Sequence, residues 1–191
     1  TVGVAGRWMA RSRRAWVLAV VGALATLTAC TSVAAPKAKP ETGQLTLSSP
    51  AFPSQGLIPI NYSCSGANIS PPLSWHGIAP SGTQSWAIVM QDLDVKPTPW
   101  VQWSVTGIAV QTRSMVAGQA PQGSVTNRSS NGTVGFVGAC PPQGKTHHYQ
   151  FTVFAMSKPV TFSASVKVPE SLQAIKGASV GSVTLTGRFA R

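Results

Sequence analysis

The chain has 191 residues, 43% of them hydrophobic, so one domain can bury a sizeable core; only 10% are charged, which excludes a fold built on charge-laced surface helices. The net charge of +11 comes from 15 bases against only 4 acids and raises the question of nucleic-acid binding. The distribution excludes it: Arg7, Arg11, Arg13 and Arg14 cluster at the start, no basic run follows, and the expected consequences are solubility and weak attraction to anionic surfaces.

In chain order, "RWMARSRRAWVLAVVGALATLTAC" places a basic segment before an apolar run from Ala15 to Leu27. That run is shorter than the roughly 20 residues of a membrane-spanning helix and has the form of a secretory signal. It stops at Leu27-Thr28-Ala29-Cys30, which resembles a bacterial lipobox. Residues 1–29 are therefore expected to be a signal peptide, and Cys30 the acylated residue holding the protein to the outer, extracytoplasmic face of a bacterial cell membrane. "TSVAAPKAKPETGQ" (30–44 with the cysteine) is rich in Ala, Pro, Thr and Lys without periodicity and reads as a disordered tether. The folded domain is expected over 45–191.

Within that domain, strands are predicted at Leu45–Ser49, Ser85–Asp92, Trp100–Ile108, Tyr149–Met156, Thr161–Val168 and Ser182–Phe189, from apolar runs or alternation bounded by Gly and Pro. One short helix is predicted in "PESLQAIKG", with Pro169 and Glu170 at its start and Gly177 as its stop. The class is mainly β, an antiparallel sandwich with one or two peripheral helices. Cys64 and Cys140 remain beyond the lipobox, and in an oxidising compartment a disulfide between them is expected, two buried thiols being the alternative.

Two motifs fail on chemistry. Ala139–Thr146 lacks one glycine of a P-loop, and its Pro141 and Pro142 have no N–H to give to a phosphate. Gly177–Gly181 matches the nucleophile elbow G-x-S-x-G, yet all three histidines precede Ser179, the reverse of the order that motif needs. "DLD" (Asp92–Asp94) holds half of the acids at the end of a buried strand. The pair reads either as loop-capping chemistry or as part of a site, with His147 or His148 as the answering group. Adjacent residues of a strand face opposite ways, so only one of the two histidines can join Asp92. Asp92, Asp94 and His147 could supply three metal donors, but their spacing has no diagnostic form and no metal or cofactor is expected.

Together, "CSGANISPPLSW" (Cys64–Trp75), "DLDVKPTPWVQW" (Asp92–Trp103), "GFVGACPPQGKTHHYQFTVFAM" (Gly135–Met156) and "GSVTLTGRF" (Gly181–Phe189) resemble, in order, the segments of the phosphatidylethanolamine-binding protein family in its bacterial Raf-kinase-inhibitor-like branch. The resemblance implies a β-sandwich with Greek-key connections and, at one end, a small pocket for phosphate-like groups including phospholipid headgroups. Carried over by position, it implies Asp92, Asp94, Gln102, Gly138, His147 and Tyr149 as ligand-binding residues. Gln102 stands where the family has a histidine, Leu93 and Val95-Lys96 replace a proline and an alanine, and Ala139 and Phe136 replace a proline and a tyrosine. The expected function is a lipid-anchored binding protein, not an enzyme. The alternatives are a protein-interaction or inhibitor module acting on a protease or kinase-type partner, and a hydrolase using Asp92 and His147.

Overall fold

The computed structural model describes residues 43–163 and 165–191. The expected signal peptide, the lipobox with Cys30 and nearly all of the tether lie outside the described residues. At the start of the described residues the Gly43 carbonyl accepts the Ile78 amide at 3.0 Å.

Two antiparallel sheets form the architecture. The smaller joins β1 (Thr46–Ser48), β2 (Leu73–His76) and β5 (Ser114–Met115) in the order β1-β2-β5. The larger joins β3 (Ser85–Asp92), β4 (Trp100–Ala109), β6 (Val125–Thr126), β7 (Thr146–Met156) and β8 (Ser179–Ala190) in the order β6-β4-β3-β7-β8. The helix α1 (Val168–Gly177) lies between β7 and β8 in the chain.

The central strand explains its own sequence. β3 reads SWAIVMQD, apolar almost throughout, because both of its faces are covered. Trp86, Ile88 and Met90 point into the core between the sheets with Trp75, Trp103, Tyr149, Phe151 and Val153. Ala87 and Val89 point the other way, into a second core with Val101, Phe154, Met156 and Ile175 of α1. Residues two apart share a face of a strand, so one run serves both cores. In α1, Ser171 and Ile175 are the buried positions, four apart and hence on one side. Pro169 sits in the first turn, where its missing N–H costs nothing; Glu170 in the first turn and Lys176 in the last complement the helix dipole.

One predicted element is corrected. Thr161–Val168 does not form a strand, and helix α1 already starts at Val168. Val160, Phe162 and Val168 pack onto the second core beside Leu172, so the alternation reflects apolar residues covering the outer face of the large sheet and not a hydrogen-bonded ladder. The structure also contains β2, β5 and β6, three short strands that the apolar patterning does not predict.

Cys64 and Cys140 are bridged, with Cα atoms 5.4 Å apart and a sequence separation of 76. The bridge ties the 63–68 turn to the loop before β7, where Ala139 also donates its amide to Tyr62 O and accepts from Cys64 N.

Candidate ligand site at one end of the sandwich

The site arises where the inner face of the large sheet stops being apolar. β3 and β7 run in register through Trp86↔Ala155, Ile88↔Val153 and Met90↔Phe151, and the next inward pair is Asp92↔Tyr149. β7 continues past Tyr149 to Thr146, and His147, two residues from Tyr149, falls on the same face. Asp92 is 2% exposed, and its Oδ2 lies 2.7 Å from His147 Nδ1. Its other oxygen, Oδ1, accepts the Asp94 amide at 3.0 Å. A buried carboxylate thus has both oxygens engaged, as burial requires. His147 Nδ1 is committed to Asp92, which leaves Nε2 as the ring's remaining polar atom.

Gln102 reaches the same place through a β-bulge. β4 pairs Val101 with Gln91 and Trp103 with Met90, so Gln102 has no partner across the ladder. Bulges re-aim side chains beside functional sites, and here the extra residue turns into the cleft. Its Oε1 is buried with no hydrogen-bond partner. A buried amide oxygen left unpaired is costly and points to an acceptor waiting for a donor.

The resulting cleft has a volume of about 530 Å³ and is lined by Asp92, Gln102, His147, Asn68, Asn131 and Trp100, with the Cys64–Cys140 disulfide in its wall. The connection from β6 to β7 has to pass β4 and β3, because β7 lies on the far side of β3. That crossing delivers Asn131, Val137, Cys140 and Pro142 to the Asp92 end. No Lys or Arg among the described residues lines this cleft.

Three other predicted site residues sit beside the cleft and not in its lining. Asp94 accepts the His148 amide at 2.6 Å and faces His148 Nδ1 at 3.0 Å. The His148 backbone hydrogen bond is the main reason its carboxyl lies below the usual range, with the His148 ring adding to it. Tyr149 is fully buried and its hydroxyl accepts the Cys140 amide at 3.0 Å, so it holds the loop wall in place. Burial, then the Asp92 charge, push its phenol well above the ordinary tyrosine value. Gly138 gives its N–H to Asn68 Oδ1 at 2.8 Å, and a Cβ there would stand 2.7 Å from that oxygen and 2.8 Å from Ser63 Cα. Only glycine permits that approach.

The rejected motifs are explained by the same geometry. In the P-loop-like stretch, the Gly144 amide goes to Arg191 O at 2.7 Å and the Lys145 amide to Pro142 O at 3.0 Å, so neither is aimed at a ligand. Ser179 pairs with Met156 while His147 pairs with Phe189, so the two are nine residue steps of β7 apart. At the rise of a strand that is about 30 Å, too far for a nucleophile and its base. Donor atoms of Asp92, Asp94 and His147 do lie within 4.8 Å of one another. The hydrogen bonds of Asp92 to His147 and of Asp94 to His148 account for this grouping.

Trp100, Asn68 and Asn131 were not foreseen. Asn68 carried a signal, since it stands in the Asn-x-Ser-Pro-Pro segment and takes a positive φ of 53°. Asn131 lies in an Asn-Gly turn whose sequence announces only a turn.

A two-sheet antiparallel β domain with a polar cleft at the strand ends, walled by a disulfide-tied loop, defines the fold class. Comparison gives it a family: the family model described as "Phosphatidylethanolamine-binding protein" matches residues 48–190, and the chain belongs to that family. A Mycobacterium tuberculosis protein provisionally named lipoprotein LppC is 38% identical over 160 residues, covering 83% of this chain and 79% of its own. A protein of Methanothermobacter thermautotrophicus named UPF0098 protein is 34% identical over 77% of this chain and 99% of its own length. Among solved structures, Escherichia coli YbcL, described as a new member of the mammalian PEBP family, aligns with a TM-score of 0.72 and 27% identity over 78% of this chain and 99% of its own. The matched part of this chain covers the archaeal relative and YbcL almost end to end.

Proposed function

We propose that the chain is a lipid-anchored extracytoplasmic binding protein whose cleft takes a small phosphate-bearing ligand, a phospholipid headgroup or a free phosphate-like anion. The observation that carries this is the convergence of the Asp92–His147 pair and the unpaired Gln102 Oε1 on one cleft. His147 Nε2 supplies a donor for an anion oxygen when the ring is protonated. Gln102 Oε1 accepts from a ligand that itself carries a proton, either a phosphate O–H or an ammonium. The absence of Lys and Arg from the described lining favours a singly charged or zwitterionic ligand over a fully ionised phosphate.

The anchor reading rests on the Leu-Thr-Ala-Cys ending at Cys30 and on the lipoprotein name of the mycobacterial relative. The Cys64–Cys140 bridge fits an oxidising compartment outside the cytoplasm. Chemistry beyond binding has no support, since the elbow-like serine lies at the far end of β7 from His147.

Calorimetry on residues 43–191 with phosphoethanolamine tests the ligand reading. Measurable binding that weakens about tenfold or more in His147→Ala is expected for loss of a charge-assisted contact. No binding by the unaltered domain, or equal binding by His147→Ala, refutes the cleft as the site. Palmitate labelling that is lost in Cys30→Ser supports the anchor, and equal labelling contradicts it.

A further inference from the structure

A second cleft lies on the outer face of the large sheet, where α1 leaves it. Its volume is about 730 Å³, larger than the headgroup cleft and within the ordinary range for small-molecule sites. One wall is a stripe of α1: Val168, Leu172 and Lys176 are four apart, so they share a side that grades from apolar to cationic. Ser171 and Ile175 seat the helix on the sheet, which leaves Val168 and Leu172 half-buried and turned toward the opening. The facing wall is Trp100, 37% exposed, with Val101 beneath it.

The charge on the rim has one sign. Arg128, Lys167 and Lys176 line the cleft, and no Asp or Glu among the described residues does. Arg128 is held in place by donating to Gly132 O at 2.6 Å. An apolar floor alone would leave the occupant open, but a floor with an exclusively cationic rim selects molecules that join a hydrocarbon chain to an anion. Carbon in the chain replaces water over Trp100 and Leu172, and the anion meets the lysines at the mouth.

We propose that this cleft is a second ligand site, separate from the headgroup cleft, for a detached single-chain anionic amphiphile of the fatty-acid type. Trp100 belongs to both clefts, and Ser130 and Gly132 of the second flank Asn131 of the first, so the two sites share one ridge and can report each other's occupancy.

The test titrates residues 43–191 with dodecanoate, hexanoate and dodecyltrimethylammonium, each below its micelle concentration. Dodecanoate is expected to bind one to one, at least about tenfold tighter than the cation of equal chain length, with affinity falling as salt rises. Hexanoate is expected to bind far more weakly, because the chain supplies the driving force. Lys176→Glu, on an exposed position that leaves packing intact, is expected to erase the preference for the anion, and Leu172→Asp to weaken dodecanoate by more than about tenfold. His147→Ala is expected to leave dodecanoate untouched, which separates this site from the headgroup cleft. Equal binding of anion and cation, an unchanged Lys176→Glu variant, loss of dodecanoate in His147→Ala, or binding to anionic vesicles without binding of monomeric dodecanoate would each overturn the proposal.

Discussion

The two ends of the β3–β7 pair are built from the same register and the same inward face, yet they do different work. At one end Trp86, Ile88 and Met90 pair with Ala155, Val153 and Phe151, and all six side chains are core hydrophobics. At the other, one step further along the same face, Asp92 meets Tyr149 and His147 follows. The first end is filled and holds the sandwich together. The second is left as a cleft in which Asp92 is tied to His147 and Tyr149 to the loop wall, while Gln102 Oε1 stays unpaired. The cleft is thus the place where the sandwich core runs out of apolar side chains and the chain substitutes hydrogen-bonded ones.

That contrast can be broken by substitution. The largest stability loss is expected at the apolar end: Trp86 is fully buried, meets Trp75 edge-on at 6.2 Å and lies under the Arg113 guanidinium. Trp86→Ala is expected to cost up to about 5 kcal/mol in urea unfolding. Next comes the disulfide in the cleft wall; replacing Cys64 and Cys140 by serine is expected to cost about 4 kcal/mol by freeing the unfolded chain. Asp92→Ala is expected to cost about 2–3 kcal/mol, because the Asp94 amide and His147 Nδ1 lose a charged acceptor. Unlike Trp86, Asp92 should also be essential for phosphoethanolamine binding in those molecules that remain folded. If Asp92→Ala destabilises more than Trp86→Ala and still binds ligand, the division of labour is wrong.

Asp94 sharpens the comparison at the smallest scale. Its carboxyl is held below the usual range by the His148 backbone hydrogen bond. A carboxylate with a lowered folded-state value stabilises the fold above its unfolded value, and that contribution is lost as pH falls through the folded value. The group is exposed, so solvent screening keeps its worth below about 1 kcal/mol. Asp94→Asn is expected to leave neutral-pH stability nearly unchanged and to flatten the acid limb of a melting-temperature profile. An acid limb identical to that of the unaltered domain would remove Asp94 from the account.

Much of this frame is legible in the sequence, and the residues show why. β3 is readable to both of its ends because burial on two faces demands an uninterrupted apolar run closed by Asp92. β2 is hidden because Pro71 and Pro72 make its approach look like a loop, and β5 and β6 are two residues each, too short for any period to register. Thr161–Val168 misleads because residues that cover the outside of a sheet alternate like those within one. Asp92 and His147 are 55 residues apart; residue types and strand alternation leave His147 or His148 open as the partner, and the family resemblance selects His147. The resemblance also named Gln102, but the bulge that turns it inward is a property of the pairing and has no mark in the sequence. The second cleft brings α1 together with Trp100 and the 128–132 turn, segments far apart in the chain that no local residue pattern joins.

The central claim is that the end of β3 and β7 is where ligand enters. The most direct measurement is the change in backbone amide shifts of the isotopically labelled 43–191 domain as phosphoethanolamine is added. The account predicts saturable changes concentrated at Asp92, Gln102, Cys140 and His147, with β8 near Ser179 and the smaller sheet silent. Changes centred elsewhere, or none at saturating ligand, would contradict it.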